Sequence, residues 1–400
     1  MGHIVIYKGQ SQYDVLRVFV DQLGEAFKSL GKDVYIVDLL ASNAGQQLQE
    51  AFSQPCEFVF AFNAMGIDLK IGSKSLYDSL GIPFIAALVD DPVYHLQRLE
   101  YPVENLLIGC VDRSHINFVN SYYGNQRTCF FFPHGGCKAK DVIDGRSVQQ
   151  DGIRGIDILF GGSYQDPDSI RNIWVNLNTT IARLLDEIVD YILGKDYINL
   201  AIAAENVFAS RGIYLNNELS NKLIYLLPFV DKYVRAYRRR QCLQMLADSA
   251  LEVHVYGANW ENARINAKNN ILIHQPVGFL EMLGLMEQAK MVLNIEPSFA
   301  NGGHERVFSA MINGAVTLSN TNSFYSQEFM DGEDIILYSW SKLHELPSKI
   351  YGLLENPDKM EALRLAGKRI AEERHTWVVR AKRILDVIET YKSLKNLRVS

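Results

Sequence analysis

Histidine, glutamate and arginine follow a pair of glycines in the stretch NIEPSFANGGHERVFSAM, residues 294–311. An apolar run precedes this stretch and a helical pattern follows, which predicts a strand-to-helix turn. The N-terminus of a helix attracts anions through its unpaired N–H groups and its dipole. Gly302 and Gly303 would let the backbone approach a phosphate closely, and the side chains of Arg306 and His304 could bind its oxygens. The alternative is an ordinary helix cap, with Arg306 paired to a surface carboxylate.

A second glycine-bearing turn, GGSY at 161–164, follows the apolar run IDILF. Gly161, Gly162 and Ser163 are therefore expected at the carboxyl end of another strand. The turn lacks the full G-x-G-x-x-G of dinucleotide sites, and the chain contains no G-x-x-x-x-G-K-[ST]. Binding of NAD(P) and ordinary ATPase chemistry are therefore disfavoured.

Two further turns carry groups that could act as acids or bases. Asp90 and Asp91 end the run IAALVDD, and His95 lies one turn later. They are interpreted either as the start of a helix or as contacts for sugar hydroxyls, with Asp91 as a base. His134 follows the apolar run TCFFFP and precedes two glycines, so it is expected at a ligand site. Neither turn has the ligand spacing of a zinc site, so no required metal is expected.

Strands and helices must position these turns, and the chain alternates between them in two series. Parallel sheets covered on both faces have this pattern, and their ligands bind beyond the carboxyl ends of the strands. A helical stretch over about 168–250 interrupts the second series. Its run Arg238-Arg239-Arg240 is interpreted as a solvated helix face, with a polyphosphate or acidic-lipid contact as the alternative. The expected fold is α/β, with an N-terminal Rossmann-like domain at 1–150 and a second at 151–380. A helix at 381–400 is expected to pack back on the first domain.

Composition limits the class of partner. A formal charge of -6 provides no basic field, so nucleic acid is not an expected partner. The five scattered cysteines predict reduced thiols, and no signal peptide or membrane-spanning run is recognised, so a cytoplasmic location is expected. Peripheral contact with a membrane is left open.

Residues 297–316 resemble the pattern P-S-x-x-E-G-F-G-L-x-x-L-E-A-M-A-x-G-x-P-V of group-1 GT-B glycosyltransferases. GGSY, HVYGANW and PVGFLEM are similar to the donor domain of the CgeB-type subgroup, and VDDP and PHGG to its N-terminal domain. The positions in register with the pattern are Pro297, Ser298, Gly302, Phe308, Ala310, Met311, Gly314 and Val316. The resemblance implies a GT-B fold of two facing Rossmann-like domains, with a helical insertion in the second.

The two glutamates of the family pattern fall on Asn301 and Ser309. In the family, the first contacts the donor sugar and the second holds the ribose hydroxyls of the nucleotide. Glu305, one helical turn before Ser309, is a candidate to supply the missing carboxylate. Arg306 resembles an arginine of the CgeB-type subgroup, which supports a phosphate contact.

The resemblance implies a metal-independent glycosyltransferase that uses a UDP- or GDP-linked sugar. Members of the group commonly retain the anomeric configuration, and Asp91 or His134 is the candidate base if this protein inverts it. No other cofactor is expected, and the acceptor is open among a glycan, a protein and a small molecule. Asp91, His134 and Arg306 are the candidate catalytic residues, and Gly9, Asp90 and His95 the candidate acceptor contacts. The expected donor-binding residues are Gly161, Gly162, Ser163, Arg171, Tyr256, Gly257, Pro276, Val277, Phe279, Asn301, Gly302, Gly303, His304, Glu305 and Ser309.

Two alternatives remain open at this stage. One is a catalytically weak nucleotide-sugar-binding or scaffold protein, which the loss of the two family glutamates favours. The other is a nucleotide-sugar epimerase of GT-B fold, which would consume its donor without an acceptor.

Overall fold

The computed structural model describes residues 2–124, 127–139, 142–143, 146–147, 154–214, 222–266 and 269–399. The chain divides into two compact units. The first comprises Met1–Cys137 and Arg374–Ser400, and the second comprises Lys138–Glu373. Each unit is built around one six-stranded sheet.

The first unit contains a parallel sheet in the strand order β2-β1-β3-β6-β7-β8. Its central strands are almost wholly apolar, as expected for strands covered on both faces. The strands are β1 (His3–Lys8), β2 (Val34–Asp38), β3 (Cys56–Phe62), β6 (Phe84–Leu88), β7 (Leu106–Cys110) and β8 (Thr128–Phe131), and a short hairpin is formed by β4 (Lys70–Ile71) and β5 (Lys74–Ser75).

Five helices of the first unit lie between its strands, and a sixth comes from the end of the chain. The five are α1 (Val15–Ser29), α2 (Ala44–Ala51), α3 (Leu76–Leu80), α4 (Leu96–Leu99) and α5 (Arg113–Tyr122). In the C-terminal helix, the Trp377 ring lies 4.9 Å from the Phe19 ring of α1. Arg380 of the same helix donates from Nε to the His134 carbonyl at 2.9 Å.

The second unit repeats the architecture with a parallel sheet in the order β13-β12-β11-β14-β15-β16. Its strands are β11 (Ile156–Gly161), β12 (Val253–Tyr256), β13 (Ile271–His274), β14 (Ala289–Asn294), β15 (Val316–Asn320) and β16 (Ile336–Tyr338). A two-stranded hairpin of β9 (Val142–Ile143) and β10 (Arg146–Ser147) precedes this sheet in the chain.

The predicted helical insertion is present between β11 and β12. It contains α6 (Pro167–Val175), α7 (Thr179–Leu193), α8 (Leu200–Ser210) and α9 (Leu227–Asp248). The remaining helices are α10 (Phe279–Gln288), α11 (Glu305–Ile312), α12 (Ser323–Glu328), α13 (Leu346–Leu354), α14 (Pro357–Arg374) and α15 (Trp377–Val399). Residues 375–376 separate α14 from α15, and Thr376 forms a bridge with Gly136 there.

No helix in the described part of the chain is both long enough and apolar enough to cross a membrane.

Candidate functional site

Most of the predicted donor-binding turns of the second unit lie at the carboxyl ends of the strands of its sheet. Strands β13, β12, β11 and β14 are neighbours and run parallel, so the loops that follow them leave the sheet on the same side. These loops carry Pro276 and Val277, Tyr256 and Gly257, Gly161 to Ser163, and the stretch 295–304. The structure therefore brings together residues that are up to about 140 positions apart in the sequence.

The turns after β11 and β12 are packed backbone to backbone. The Gly162 amide donates to the Tyr256 carbonyl at 2.9 Å, and Trp260 donates from Nε1 to the Gly162 carbonyl at 2.6 Å. A Cβ atom at Gly257 would overlap the Gly162 carbonyl oxygen. Gly257 is thus required by the approach of the two turns, a role that the sequence did not indicate.

Gly303 also has a structural role that differs from the predicted one. A Cβ atom at this position would overlap the Phe308 ring and lie 2.9 Å from the Phe324 ring. The Gly302 carbonyl accepts a hydrogen bond from Asn322 Nδ2 at 2.9 Å. Internal packing therefore accounts for Gly303, whereas the predicted reason was the approach of a phosphate.

His304 caps α11, in agreement with one part of the ordinary alternative. Its Nδ1 accepts from the Arg306 amide at 3.2 Å, and its own amide donates to the Tyr325 hydroxyl at 2.9 Å. Two of the amides expected to receive an anion are therefore already hydrogen-bonded. The alternative also paired Arg306 with a surface carboxylate. That pairing was wrong, because Arg306 is buried and donates from Nη1 to the Asn294 amide oxygen at 2.9 Å.

Helix α9 adds two arginines that the sequence analysis did not assign to the site. Arg235 and Arg239 are four residues apart and therefore lie on the same face of this helix. Arg239 donates from Nη1 to the Ser163 carbonyl of the turn after β11, at 3.2 Å. Its Nε is buried and has no hydrogen-bond partner among the described residues.

The expectation that Arg238-Arg239-Arg240 forms a solvated helix face was therefore wrong. Arg238 is only 4% exposed, stacks over the Trp340 ring at 4.7 Å and donates to the Leu193 carbonyl at 2.7 Å. Of the three, Arg240 makes a more exposed contact, with Asp168 at 3.5 Å. The i, i+4 spacing of Arg235 and Arg239 was the signal available in the sequence.

Arg239 lies among both guanidiniums and carboxylates. Burial lowers the pKa of Arg239 to about 10, and the neighbouring Arg235 and Arg306 lower it further, whereas Glu296 and Asp231 oppose the change. Arg235 pairs with Asp231 at 3.0 Å, and the Ser298 hydroxyl donates to the same carboxylate. We name Arg235, Arg239 and Arg306 the guanidinium cluster. An anion bound there would meet three guanidiniums, with the carboxylates of Asp231 and Glu296 nearby.

Glu305 lies one turn before Ser309 on α11, and both side chains are buried. The Ser309 hydroxyl donates to Glu305 Oε2 at 3.2 Å. Burial raises the pKa of Glu305, although the nearby Arg306 and the Ser309 hydrogen bond oppose this change. Asn301, at the other family-glutamate position, is half-buried in the loop before His304.

Tyr256, at the end of β12, and the start of α10, after β13, lie at the same ends of the strands. The Tyr256 ring stacks on His274 with centroids 4.3 Å apart, and Phe279 is buried at the first position of α10. Pro276 is exposed and Val277 half-buried between them. Arg171 is set apart from these residues: it lies on α6, and its hydrogen bonds go to the Asp186 carboxylate at 3.0 and 2.8 Å.

In the first unit, Asp91 caps a short helical turn after β6. Its Oδ1 accepts from the Val93 amide at 3.1 Å, and its Oδ2 lies 3.3 Å from His115 Nε2. His95 Nε2 lies 3.9 Å from Asp90, and burial lowers the pKa of His95 to about 4. His115 is fully buried on α5 and was not among the predicted site residues, because a histidine inside a helical pattern carries no distinctive signal.

His134 and Gly9 lie in different surroundings of the first unit. The His134 side chain is 5% exposed and its ring lies 6.0 Å from that of Phe19. Gly9 lines a cavity of about 390 Å³ at the carboxyl ends of β1 and β3, together with Asp68, Arg98 and Tyr101. Near this cavity the chain takes positive φ angles at Asn63 (52°) and Ala64 (54°), and Arg98 donates to the Asn63 carbonyl at 2.8 Å.

Comparison with known proteins finds a family match over the later part of the second unit and the residues that follow it. Residues 238–386 match the family model described as glycosyl transferase-like. This part of the chain is a glycosyl transferase-like domain. The match confirms the resemblance and the enzyme class predicted from the sequence, and the chain matches none of the curated protein sequences.

Solved structures of similar fold span nearly the whole chain. Sucrose-phosphate synthase from Thermosynechococcus elongatus has a TM-score of 0.54 at 10% identity, covering 98% of this chain and 100% of its own. Anabaena HepE in complex with UDP-glucose has a TM-score of 0.55 at 11% identity, with coverage of 98% and 100%. The DNA-modifying enzyme β-glucosyltransferase has a TM-score of 0.52 at 11% identity, with coverage of 97% and 100%. At these identities the similarity establishes the fold, which is GT-B as predicted.

Proposed function

We propose that the protein transfers a hexose from a nucleotide diphosphate sugar, held by the second unit, to an acceptor held by the first. The observation that carries the proposal is the guanidinium cluster. It lies beside the turns after β11 and β14, within or next to the segment that matches the glycosyl transferase-like model. The predicted functional domains, 1–150 and 151–380 with the helix at 381–400, are kept as part of this proposal.

The departing diphosphate is the part of the donor that the cluster would recognise. Charge develops on its oxygens as the glycosidic bond breaks, and preorganised cations in a buried site stabilise such charge. Arg239 and Arg306 would donate to these oxygens, and Arg235, tied to Asp231, would add a positive field. Three guanidiniums could meet this demand without a metal ion, so we propose a metal-independent reaction.

The ribose would be held by Glu305. Its buried carboxylate is oriented by the Ser309 hydroxyl and could accept from the two ribose hydroxyls. Tyr256, Pro276 and Val277 would then contact the base. We propose a uridine nucleotide, because HepE binds UDP-glucose and the DNA-modifying β-glucosyltransferase has it as substrate, and both have a similar fold.

The acceptor would bind in the cavity of the first unit that Gly9 lines. Tyr101 offers an aromatic face to a sugar ring, and Asp68 and Arg98 offer an acceptor and donors to hydroxyl groups. Asp91 is 4% exposed and already engaged with Val93 and His115, which makes it a poor base in this arrangement. We therefore propose the retaining outcome, in which the phosphate of the donor assists the acceptor.

The direct test is to incubate the protein with UDP-glucose, UDP-galactose, UDP-N-acetylglucosamine and GDP-mannose and to measure free nucleotide. We expect slow release of UDP from one uridine donor, and loss of that release in Arg306→Ala. Conversion of the sugar without release would instead identify an epimerase. Tight binding without turnover by every donor would favour a nucleotide-sugar-binding protein, an alternative supported by the absence of carboxylates at Asn301 and Ser309.

A further inference from the structure

The first unit contains a second and larger cavity, of about 660 Å³. Asn105, just before β7, and Thr128, the first residue of β8, contribute to its lining, as does the C-terminal helix α15. These are the amino ends of parallel strands. The cavity therefore lies at the opposite end of the strands from the loops that carry Gly9 and Asp91. Its volume falls within the range of about 300–1,000 Å³ that small-molecule sites have.

The walls of this cavity are largely apolar. Leu107 and Phe130 contribute from the sheet, and Val387 and Leu394 from α15. Leu394 is 56% exposed although it borders the cavity. Exposure of this apolar surface to water is unfavourable in free energy. An apolar chain placed along it would remove these side chains from solvent.

One polar group is buried at the boundary of the cavity. Asn105 is 5% exposed, and its Oδ1 accepts from the Tyr391 hydroxyl at 2.7 Å and from Lys395 Nζ at 2.8 Å. Because an ammonium group can only donate, the atom facing Lys395 must be the amide oxygen.

The arrangement leaves hydrogen-bond donors available for a ligand. Asn105 Nδ2 has no hydrogen-bond partner among the described residues, and the Lys395 ammonium has three N–H groups, of which one is directed to Asn105. A ligand group that only accepts, such as a carboxylate or a phosphate, matches these donors.

The exposed rim of the cavity does not by itself select a charge. Arg383, Asp386 and Glu104 all lie there, so both signs are present. Selectivity for an anionic group would therefore arise from Asn105 and Lys395.

We propose that this cavity binds a single-chain anionic amphiphile, with its carboxylate or phosphate at Asn105 and Lys395 and its chain against Leu107, Phe130, Val387 and Leu394. The site is separate from the proposed transfer reaction and does not depend on it. The chemistry is that of a fatty acid or of one chain of an anionic lipid.

The full-length protein should be titrated with dodecanoate below its micellar concentration, with isothermal calorimetry as the readout. We expect one site per chain. Dodecyltrimethylammonium has the same chain and the opposite charge, and it should bind at least tenfold more weakly. Equal binding of the two amphiphiles, or no binding of dodecanoate, would refute the proposal.

Two matched pairs of variants on α15 test the position of the site. Leu394→Asp should weaken dodecanoate binding at least tenfold, whereas Leu397→Asp, at a residue that is more exposed and does not line the cavity, should leave it unchanged. Lys395→Gln should weaken binding about fivefold and Lys392→Gln should not. Equal effects within either pair would show that the amphiphile binds elsewhere. Circular dichroism melting curves of all four variants verify that they are folded.

Vesicles of phosphatidylglycerol distinguish the source of the ligand. If Leu394→Asp reduces sedimentation with vesicles as much as it reduces dodecanoate binding, the natural ligand is a membrane lipid chain. If wild-type protein binds dodecanoate but not vesicles, the ligand is a free amphiphile. Both results support the cavity as the site. If Leu394→Asp and Leu397→Asp reduce vesicle binding equally, the proposal is contradicted.

Discussion

The hydroxyl of Ser309 donates a hydrogen bond to the Glu305 carboxylate, one helical turn earlier, at an Oγ–Oε2 distance of 3.2 Å. Group-1 GT-B sequences have a glutamate at the position of Ser309. In this protein the carboxylate belongs to Glu305, four residues earlier, and it accepts a hydrogen bond from Ser309, which occupies the position of the family glutamate. The pair therefore retains a carboxylate at the start of α11, in a buried setting that raises its pKa.

Glu305→Gln should raise the KM for the donor, because an amide is a weaker acceptor for the two ribose hydroxyls than a carboxylate. A hydrogen bond to a charged group contributes about 1.5–3 kcal/mol, so we expect the KM to rise roughly tenfold or more. Initial rates over a range of donor concentrations provide the measurement. Glu333→Gln, at an exposed glutamate of the same unit, is the control, and an equal KM in both variants would remove Glu305 from the ribose site.

Arg306→Ala and Arg239→Met should each weaken UDP binding by about 2 kcal/mol, roughly 30-fold, because a charge-assisted contact to a phosphate oxygen is lost. Methionine at 239 keeps most of the buried volume while removing the charge. Calorimetric titration with UDP measures the change in Kd. Arg240→Met, next to Arg239 but paired with Asp168 near the surface, should bind UDP like the wild type. If Arg239→Met and Arg240→Met bind UDP equally well, the guanidinium cluster does not bind the diphosphate.

Acid should destabilise the first unit through His95. Its pKa in the folded protein is about 4, below the ordinary value near 6.5, so the unfolded chain binds more protons between these two values. The stabilisation is fully present above about pH 6.5 and is lost as the pH falls towards 4. It amounts to about 3 kcal/mol at most.

Replacing His95 by glutamine should make the loss of stability between pH 6.5 and 4.5 less steep than in the wild type. Urea unfolding followed by circular dichroism at a series of pH values gives both profiles. His375, whose pKa is also lowered by burial and by Arg380, contributes in the same direction in both proteins, so the comparison isolates His95. Parallel profiles would contradict the prediction.

Gly257→Ala should lower the free energy of unfolding of the second unit by about 1–3 kcal/mol, because its Cβ would overlap the Gly162 carbonyl and neither backbone segment can yield easily. Gly352→Ala on α13 is the matched control. Its Cβ would meet no atom within 4 Å, and alanine favours helix, so a gain of up to about 1 kcal/mol is expected. Urea denaturation of both variants distinguishes these outcomes, and a neutral Gly257→Ala would show that the two turns are not tightly packed.

The sequence was sufficient to predict the two parallel sheets, the helical insertion and the turns that carry Gly161, Tyr256 and Arg306. Hydrophobic runs alternating with helical patterns are local signals, and in a parallel sheet the carboxyl ends of neighbouring strands necessarily share an edge. The same local information supported the resemblance over 297–316, which the family match confirmed.

Only the tertiary structure revealed which positive charges accompany Arg306. Arg235 and Arg239 come from a helix about 70 residues earlier in the chain, and a run of arginines has the same pattern whether it faces solvent or protein. Likewise, the reason for Gly257 lies in the carbonyl of Gly162, nearly 100 positions away. Local sequence patterns specify backbone conformation and burial, whereas contacts between distant segments depend on how the elements pack, and at this site packing determines where the charges lie.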